Sequence, residues 1–483
     1  MKKRSIFKNY LFSMAYSVMK IFFPLIIMPY VSRILLPDGL GRVSYAQNIA
    51  SYFILIASLG IPNYGIREIA KNGENIQDRS RSFFEIFYIN LASTLFVTLI
   101  YYFLVFHTEY FAEKRLIYCI VGIALIFNAF NIDWFYKGLE EFRYITIRSY
   151  IVKFISLIAI FLFIRSNGDV NKYALILTLA TSANYVFNII HVRKYLIYPK
   201  GALDYRKHIK PIFFLFAAVL VELYAQLDIT MLGTICGETY VGYYTNVIKI
   251  IQIITIVITS IGSVLLPRFS VFYYEKQTEE LKKTVKKTVQ YILFISIPCA
   301  VGVIFESESV VRIMFGEAFL PAVATMRILS PLIPIFAVGN IFGTQLLMAL
   351  NQEKKLMMTV LIGAIVNVIL NFLLIGRFQQ NGAAAASVMA ELTVTIAQIC
   401  FACQHVKVST DHKLLKKIII QTGIMAIALI FANRLCLPWI IKLIVSVGIG
   451  AITYMLSGLV LKNEIISEML SICKNIRTRG KIS

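Results

Sequence analysis

Eight basic side chains lie inside long apolar runs of this sequence, where an ionisable group costs a few kcal/mol unless it has a partner or water. Four of them, Arg33, Arg42, Arg327 and Lys442, lie near the end of a run that we predict to face outward and can reach the interface. The other four are Lys20, Arg148, Lys153 and Lys249. Lys20 and Lys153 lie about ten residues, or roughly 15 Å of helix, inside their runs. Arg148 lies only one turn inside and can extend to the inner headgroups. These residues predict either a chamber for an anionic ligand or ion pairs with acids on neighbouring helices.

Four acidic side chains, Asp133, Glu222, Asp228 and Glu391, lie in the same runs. A transported proton or sodium ion needs a carboxylate that can become neutral, so these residues are candidates for ion coupling. Glu222 is the first candidate because it follows Pro211 by about 16 Å of helix, near the midplane, where desolvation favours the protonated form. The alternative is that Glu222 only neutralises a structural Lys or Arg. On one helix, Glu222 and Asp228 project roughly 120° apart, which does not indicate a paired-carboxylate hydrolase.

The sequence indicates no enzyme or metal centre. Its five histidines fall in predicted loops or at the ends of apolar runs, and no HExxH pattern occurs. No GxxxxGK[ST] pattern occurs either, which excludes ATP hydrolysis by that route. Glu306 and Glu308 lie in the longest predicted outer loop, about 306–322, where we expect them to be solvated. We therefore predict no catalytic residue, no metal and no cofactor.

The composition places these residues in a membrane protein. Of the 483 residues, 58% are hydrophobic and 15% are charged, and the mean hydropathy is +0.73, which a soluble fold could not hide from water. The net charge of +22 could suggest a nucleic-acid partner. The basic residues instead occur in short runs between apolar stretches, as cytoplasmic membrane loops do. We predict no nucleic-acid partner.

Fourteen apolar runs are long enough to cross about 30 Å of hydrocarbon. Each must be a helix, because its backbone groups have no water partner in lipid. The first run has no small-residue cleavage site and reads as a retained span rather than a signal peptide. The predicted spans are 10–36, 41–65, 83–106, 115–136, 144–165, 172–191, 211–235, 240–266, 288–305, 323–350, 356–376, 383–405, 417–434 and 439–461.

Lysine and arginine are distributed unequally between the two sets of alternate loops. One set, which includes both termini, contains 33 of them and the other contains 7. Because cytoplasmic loops carry the excess of positive charge, we predict that both termini are cytoplasmic.

A weak internal repeat divides the chain. Residues 40–44 (LGRVS), which open the second span, resemble residues 241–245 (VGYYT), which open the eighth, at an offset of 201. Later matches follow in the same order at an offset of 211. Repeats with an even number of spans share one orientation. We therefore predict an all-α fold with two six-helix lobes related by pseudo-two-fold symmetry, 1–205 and 206–410, and a final helix pair with a cytoplasmic tail, 411–483.

Three segments resemble bacterial polysaccharide repeat-unit flippases of the multidrug, oligosaccharidyl-lipid and polysaccharide exporter superfamily. They are LGIPNYGIREIAK at 59–71, DWFYKGLE at 133–140 and LPR at 266–268. The resemblance extends over essentially the whole chain. It implies export of an undecaprenyl-pyrophosphate oligosaccharide across the bacterial cytoplasmic (inner) membrane for O-antigen, capsule or a similar polymer. It also implies alternating access driven by a proton or sodium gradient, with membrane lipids and a polysaccharide polymerase as partners.

Under this resemblance, Lys20, Lys153, Lys249 and Arg148 are the predicted substrate-binding residues for the pyrophosphate. Two other functions are compatible with parts of the sequence. A multidrug exporter would share the fold, but a cationic cargo should favour acids in the spans, where cations dominate here. A membrane-embedded polysaccharide polymerase or ligase should have a long outer loop with catalytic acids or arginines, which this sequence lacks.

Overall fold

The structure is a computed structural model that describes residues 6–72, 75–199, 201–224, 226–263, 265–406, 411–468 and 471. Within these ranges every long regular element is a helix, which agrees with the all-α prediction. Among the described residues, ten helical elements are long and apolar enough to cross a membrane. The predicted total of fourteen spans and the symmetry of two lobes stay predictions.

The chain divides into two compact units, residues 1–242 and 243–483. The helices that begin in the first unit are α1 (Ile6–Ser58), α2 (Ile61–Asn72), α3 (Ile76–His107), α4 (Arg115–Asn128), α5 (Asp133–Gly138), α6 (Phe142–Phe163), α7 (Val170–Val192), α8 (Arg206–Tyr224), α9 (Leu227–Cys236) and α10 (Glu238–Ser263). Helix α10 continues into the second unit. The domain boundaries that we predicted at 205 and 410 stay predictions.

The described part of the second unit contains seven further α-helices and a π-helical segment at Ile341–Leu347. The α-helices are α11 (Leu266–Tyr274), α12 (Thr278–Met314), α13 (Ala322–Leu329), α14 (Leu332–Asn340), α15 (Glu353–Cys403), α16 (His412–Asn433) and α17 (Trp439–Val460). The outer loop that we predicted from about 306 is wrong at its start, because α12 remains helical to Met314.

Two of the long helical elements are interrupted by a non-helical residue close to a boundary that the apolar runs predict. Helix α1 has a left-handed residue at Leu36 (φ 59°), directly before Pro37, and a residue before proline is disfavoured in the helical region. Helix α15 has the same kind of break at Gln379 (φ 53°). The break at Leu36 falls at the end of the predicted span 10–36, and the break at Gln379 falls between the spans 356–376 and 383–405. The predicted fourth span, 115–136, is in contrast interrupted, because α4 ends at Asn128 and α5 begins at Asp133.

Large apolar side chains are both buried between the helices and exposed on the outer surface of the protein. In the first unit, the interior contains Tyr101, Leu125, Phe83 and Phe135. On the outer surface of α6, Ile147, Ile151, Phe154, Ile158 and Leu162 are exposed at intervals of three or four residues, whereas Val152, Ser156 and Ile160 are buried on another face. An apolar surface of this kind is stable against hydrocarbon and not against water.

Two of the three segments that carry the family resemblance, 59–71 and 133–140, pack against each other. A Cβ atom on Gly65 of α2 would lie 2.4 Å from the Trp134 ring of α5, and one on Gly138 would lie 2.8 Å from Cβ of Ile69. Glycine at each position is what allows the two helices to approach so closely. This contact holds α5 against α2 and so fixes the position of Asp133, which lies in the first turn of α5.

Candidate functional site

Asp133, Arg148 and Asn188 form a buried polar cluster in the first unit. Arg148 Nη1 lies 3.0 Å from Asp133 Oδ1 and also donates to Asn188 Oδ1. Asn188 Nδ2 donates to Asp133 Oδ1 over 2.7 Å. The side chain of Arg148 is only 5% exposed. The cluster therefore pairs a buried guanidinium with a carboxylate that is 24% exposed, and the Asn188 amide bonds to both.

Three helices position this cluster. Asp133 opens α5, Arg148 lies near the start of α6 and Asn188 lies near the end of α7. The Tyr136 hydroxyl donates to the Asn188 carbonyl over 2.7 Å, which ties α5 to α7. The Arg148 guanidinium lies 5.7 Å from the centre of the Tyr144 ring. Its Nε has no hydrogen-bond partner.

The cluster joins two residues for which the sequence predicts different roles. Arg148 is a predicted substrate ligand and Asp133 a predicted ion-coupling residue, and here they neutralise each other. This matches the alternative of pairing with an acid on a neighbouring helix. In this structure the Asp133 carboxylate is the counter-ion of the buried Arg148 guanidinium.

The other described candidates of the first unit lie elsewhere. Lys153 is on α6, roughly 140° around the helix from Arg148, and its Nζ lies 5.2 Å from the centre of the Phe23 ring. Asp228 is buried in the first turn of α9. The side chains of Lys20 and Glu222 lie outside the described residues, although their positions fall within α1 and α8.

Two candidates belong to the second unit. Lys249 is exposed on α10, and Glu391 is half-buried on α15. Across the described part of this unit, neither side chain has an ion-pair partner. The structure thus brings Arg148 and Asp133 together and leaves Lys249 and Glu391 on separate helices. Among the described residues, no three His, Cys, Asp or Glu side chains are grouped so that they could hold a metal ion.

A second buried charge cluster surrounds Glu85, which sequence reasoning missed. Glu85 is fully buried on α3. Its carboxylate accepts from Lys207 Nζ at 2.7 Å, from His208 Nε2 at 2.8 Å and from the Asp204 backbone N–H at 2.8 Å. Arg81 Nε lies 3.2 Å away. Glu85 lies inside the predicted span 83–106, and its i,i+4 spacing from Arg81 was an available signal, but we singled out neither residue from the sequence.

Glu306 is the opposite case. It is buried on α12, and neither carboxylate oxygen has a hydrogen-bond partner. It borders a mostly apolar cavity of about 380 Å³ between α12, α16 and α17. The expectation of a solvated Glu306 is therefore wrong, because α16 and α17 cover this part of α12. Glu308, two residues later, does reach the surface, and its Oε1 lies 2.9 Å from Arg312 Nη2.

A third cluster lies where α1 crosses the start of α10, inside residues 1–242. Glu238 binds Lys114 Nζ at 2.6 Å and lies 3.7 Å from Arg42. A Cβ atom on Gly41 would lie 1.7 Å from the Glu238 carbonyl oxygen, and one on Gly242 would lie 2.0 Å from the Pro37 carbonyl oxygen. The two segments that we identified as a repeat thus touch through their glycines, and the contacts are reciprocal.

Comparison with known proteins identifies the family. A model described as "Polysaccharide biosynthesis protein" matches residues 6–273, and a second model, MatE, matches residues 212–373. The chain is 24% identical to a "Putative O-antigen transporter" of Escherichia coli (strain K12), over 78% of this chain and 92% of that protein. It is 24% identical to the "Capsular polysaccharide biosynthesis protein CapF" of Staphylococcus aureus, over 81% and 96%.

A solved structure described as "Lipid II flippase MurJ, inward closed conformation" has a similar fold. The TM-score is 0.76 at 14% identity, with 95% of this chain and 100% of that chain covered. At that identity the likeness concerns the fold. The family model, in contrast, covers more than half of the sequence and includes all three segments on which the resemblance was based. The chain therefore belongs to the polysaccharide biosynthesis protein family, within the multidrug, oligosaccharidyl-lipid and polysaccharide exporter superfamily.

Proposed function

We propose that this protein is a flippase that moves an undecaprenyl-pyrophosphate-linked oligosaccharide repeat unit from the cytoplasmic to the outer leaflet of the bacterial cytoplasmic membrane. The match of the family model over residues 6–273 carries the proposal. The relatives named as an O-antigen transporter and a capsular polysaccharide biosynthesis protein support it. The product would serve O-antigen, capsule or similar surface polymers, with a polymerase acting on the exported unit.

Cations in the spans suit this cargo. A pyrophosphate is anionic, and Arg148, Lys153 and Lys249 place positive charge within helices that are otherwise apolar. Lys20 would be the principal pyrophosphate contact in this proposal. A cation buried in hydrocarbon is costly, so its presence needs a counter-charge supplied by the protein or by the ligand.

The function can be tested in vesicles that contain purified protein and a lipid-linked oligosaccharide in the inner leaflet. We expect the oligosaccharide to become accessible to an added lectin that cannot cross the membrane. Lys20→Glu should abolish this exposure without loss of inserted protein, whereas Lys442→Glu, at the predicted interface near the Trp439 ring, should not. Equal rates for protein-free and protein-containing vesicles would refute the proposed function. Accumulation of a cationic dye in the same vesicles would favour a multidrug exporter instead.

We further propose that transport is coupled to a proton or sodium gradient through alternating access. Glu222 is the first candidate for the coupling site, and Asp133, Asp228 and Glu391 are the others. The Asp133–Arg148 pair supports a role for Asp133, since a proton on Asp133 would release Arg148 for an anionic ligand. Glu222→Gln or Asp133→Asn should give inserted protein whose transport no longer responds to an imposed gradient. A normal response in either variant eliminates that residue.

The proposed orientation has both termini in the cytoplasm. Gly168 is exposed in the short segment between α6 and α7, which we expect to face outward. Lys283 is exposed near the start of α12, which we expect to face inward. In a background without native cysteines, Gly168→Cys should react with an impermeant thiol reagent on intact cells and Lys283→Cys should not. The reverse labelling would invert the topology.

A further inference from the structure

A groove of about 490 Å³ opens between α6 and α7, wholly inside the first unit. It lies at the end of both helices that the Lys and Arg distribution predicts to be cytoplasmic. Its rim contains Arg143 and Lys194, both exposed. In the described residues, neither of these two cations has an ion-pair partner. The groove therefore has a positively charged entrance.

The floor of the groove contains nitrogen atoms without partners. Arg148 and His191 both line it, and Arg148 Nε and His191 Nδ1 are buried atoms with no hydrogen-bond partner. The His191 ring stacks on Tyr144, with ring centres 3.7 Å apart. A buried polar atom without a partner is uncommon and costly. An acceptor drawn into the groove would remove part of that cost.

The remaining walls are apolar and continue along the helices. Ile147, Ile151 and Phe187 line the groove and are exposed. On α6 the exposed row continues through Phe154 and Ile158, a distance that corresponds to roughly 16 Å from Ile147 to Ile158. Half of a bilayer's hydrocarbon thickness is about 15 Å. The row is therefore as long as one leaflet, which suits an acyl chain that runs up from the charged entrance.

The charges select the headgroup. Glu141 also lies at the rim, but its carboxylate accepts a hydrogen bond from the Tyr195 hydroxyl at 2.5 Å. Asp133 already forms an ion pair with Arg148. The cations that remain available, Arg143 and Lys194, favour a phosphate without a compensating choline or ethanolamine charge. Basic pockets between membrane helices on the cytoplasmic side bind anionic lipid headgroups for this reason.

We propose that the groove between α6 and α7 is a binding site for an anionic glycerophospholipid of the cytoplasmic leaflet. The phosphate lies between Arg143 and Lys194, above Arg148 and His191, and an acyl chain follows Ile147 and Ile151. Arg148, which the proposed function also assigns to the pyrophosphate of the substrate, lines the groove, so the test includes the substrate carrier as a competing occupant.

The test uses purified full-length protein in nanodiscs of phosphatidylcholine, with phosphatidylglycerol added as the probe. Retained lipids are counted by native mass spectrometry. We expect the double variant Arg143→Gln/Lys194→Gln to bind phosphatidylglycerol roughly tenfold or more weakly than the wild type, from about one kcal/mol per basic residue. Lys413→Gln/Lys416→Gln is the matched control, because it removes the same charge from two exposed residues of α16 and should bind like the wild type.

A second variant tests shape without altering charge. Ile151→Trp fills the apolar wall and should also weaken phosphatidylglycerol binding, while both sets of variants keep the wild-type size-exclusion profile. If the Lys413/Lys416 control loses as much phosphatidylglycerol binding, the effect is general charge attraction and the proposal is overturned. The proposal is also overturned if the wild type retains no measurable phosphatidylglycerol. If undecaprenyl pyrophosphate binds there and phosphatidylglycerol cannot displace it, the groove belongs to the substrate carrier and the phospholipid assignment is wrong.

Discussion

The same substitution at two buried glutamates should change stability in opposite directions. Glu85 and Glu306 are both buried in long helices. Glu85 accepts hydrogen bonds or ion pairs from four groups, whereas neither oxygen of Glu306 has a partner. Methionine has a similar length and no charge. Glu→Met therefore removes a satisfied anion at one site and an unsatisfied polar group at the other.

The magnitude at Glu85 follows from what its partners lose. Lys207 and Arg81 have side chains that are 44% and 43% exposed, so water can replace the carboxylate around them. The side chain of His208 is 1% exposed, and water cannot easily replace the carboxylate there. Breaking a buried pair by removing one partner costs about 3 to 5 kcal/mol. We expect Glu85→Met to lower the free energy of unfolding by an amount in that range.

At Glu306 the sign reverses. An unsatisfied buried polar group costs about 1 to 3 kcal/mol, and methionine fits the largely apolar cavity that Glu306 borders. Glu306→Met should leave the free energy of unfolding unchanged or raise it by up to that amount. Glu306→Met and Glu85→Met are compared at the same pH and in the same detergent.

The chain's two tryptophans make the measurement specific to each unit. Trp134 is buried in the first unit and Trp439 lies in the second. Unfolding in mixed micelles is followed by tryptophan fluorescence, with a Trp439→Phe background to isolate the Trp134 signal for Glu85→Met. An unchanged Glu85→Met protein, or a Glu306→Met protein that loses as much stability as Glu85→Met, would refute the reasoning.

Two other predictions use the same unfolding measurement. Gly41→Ala should lower the free energy of unfolding strongly, because its Cβ atom would lie 1.7 Å from the Glu238 carbonyl oxygen. Gly423→Ala on α16, where no atom lies within 4 Å of the new Cβ, should raise the free energy of unfolding by about 0.5 to 1 kcal/mol. Equal changes in the free energy of unfolding for the two variants would contradict the close contact at Gly41. The hydrogen bond from Lys287 holds the pKa of Glu468 below its usual range. The folded-state pKa is depressed, so this stabilisation is complete at neutral pH and is lost as the pH falls below about 4. Glu468→Gln should flatten that acid limb, and an unchanged pH profile would exclude the ion pair as its source.

The apolar runs predicted the helices well where composition alone determines them. Helices α6, α16 and α17 lie within a few residues of the spans predicted from 144, 417 and 439. The breaks at Leu36 and Gln379 fall where the runs are interrupted. Hydrocarbon imposes a length and a polarity on each crossing segment, and both are written locally in the sequence.

Partners of buried charges were not predictable in the same way. The sequence allowed Arg148 to pair with an acid, but it could not select Asp133, which is brought there by the contact of α2 with α5. We predicted Glu306 to be a loop residue because the apolar run 288–305 ends directly before it. Its burial depends on α16 and α17, which are more than a hundred residues away in the sequence. Such facts depend on tertiary packing and leave no periodic signal.

The reciprocal contact of the two glycines constrains how this protein can vary. Gly41 meets the carbonyl of Glu238, and Gly242 meets the carbonyl of Pro37, and the members of each repeat pair differ by the same offset of 201 residues. A larger side chain at either glycine pushes apart the same two backbones, so it also loosens the contact at the other. Among related sequences the two positions should then change together. Covariation between positions 41 and 242 would therefore report this shared contact.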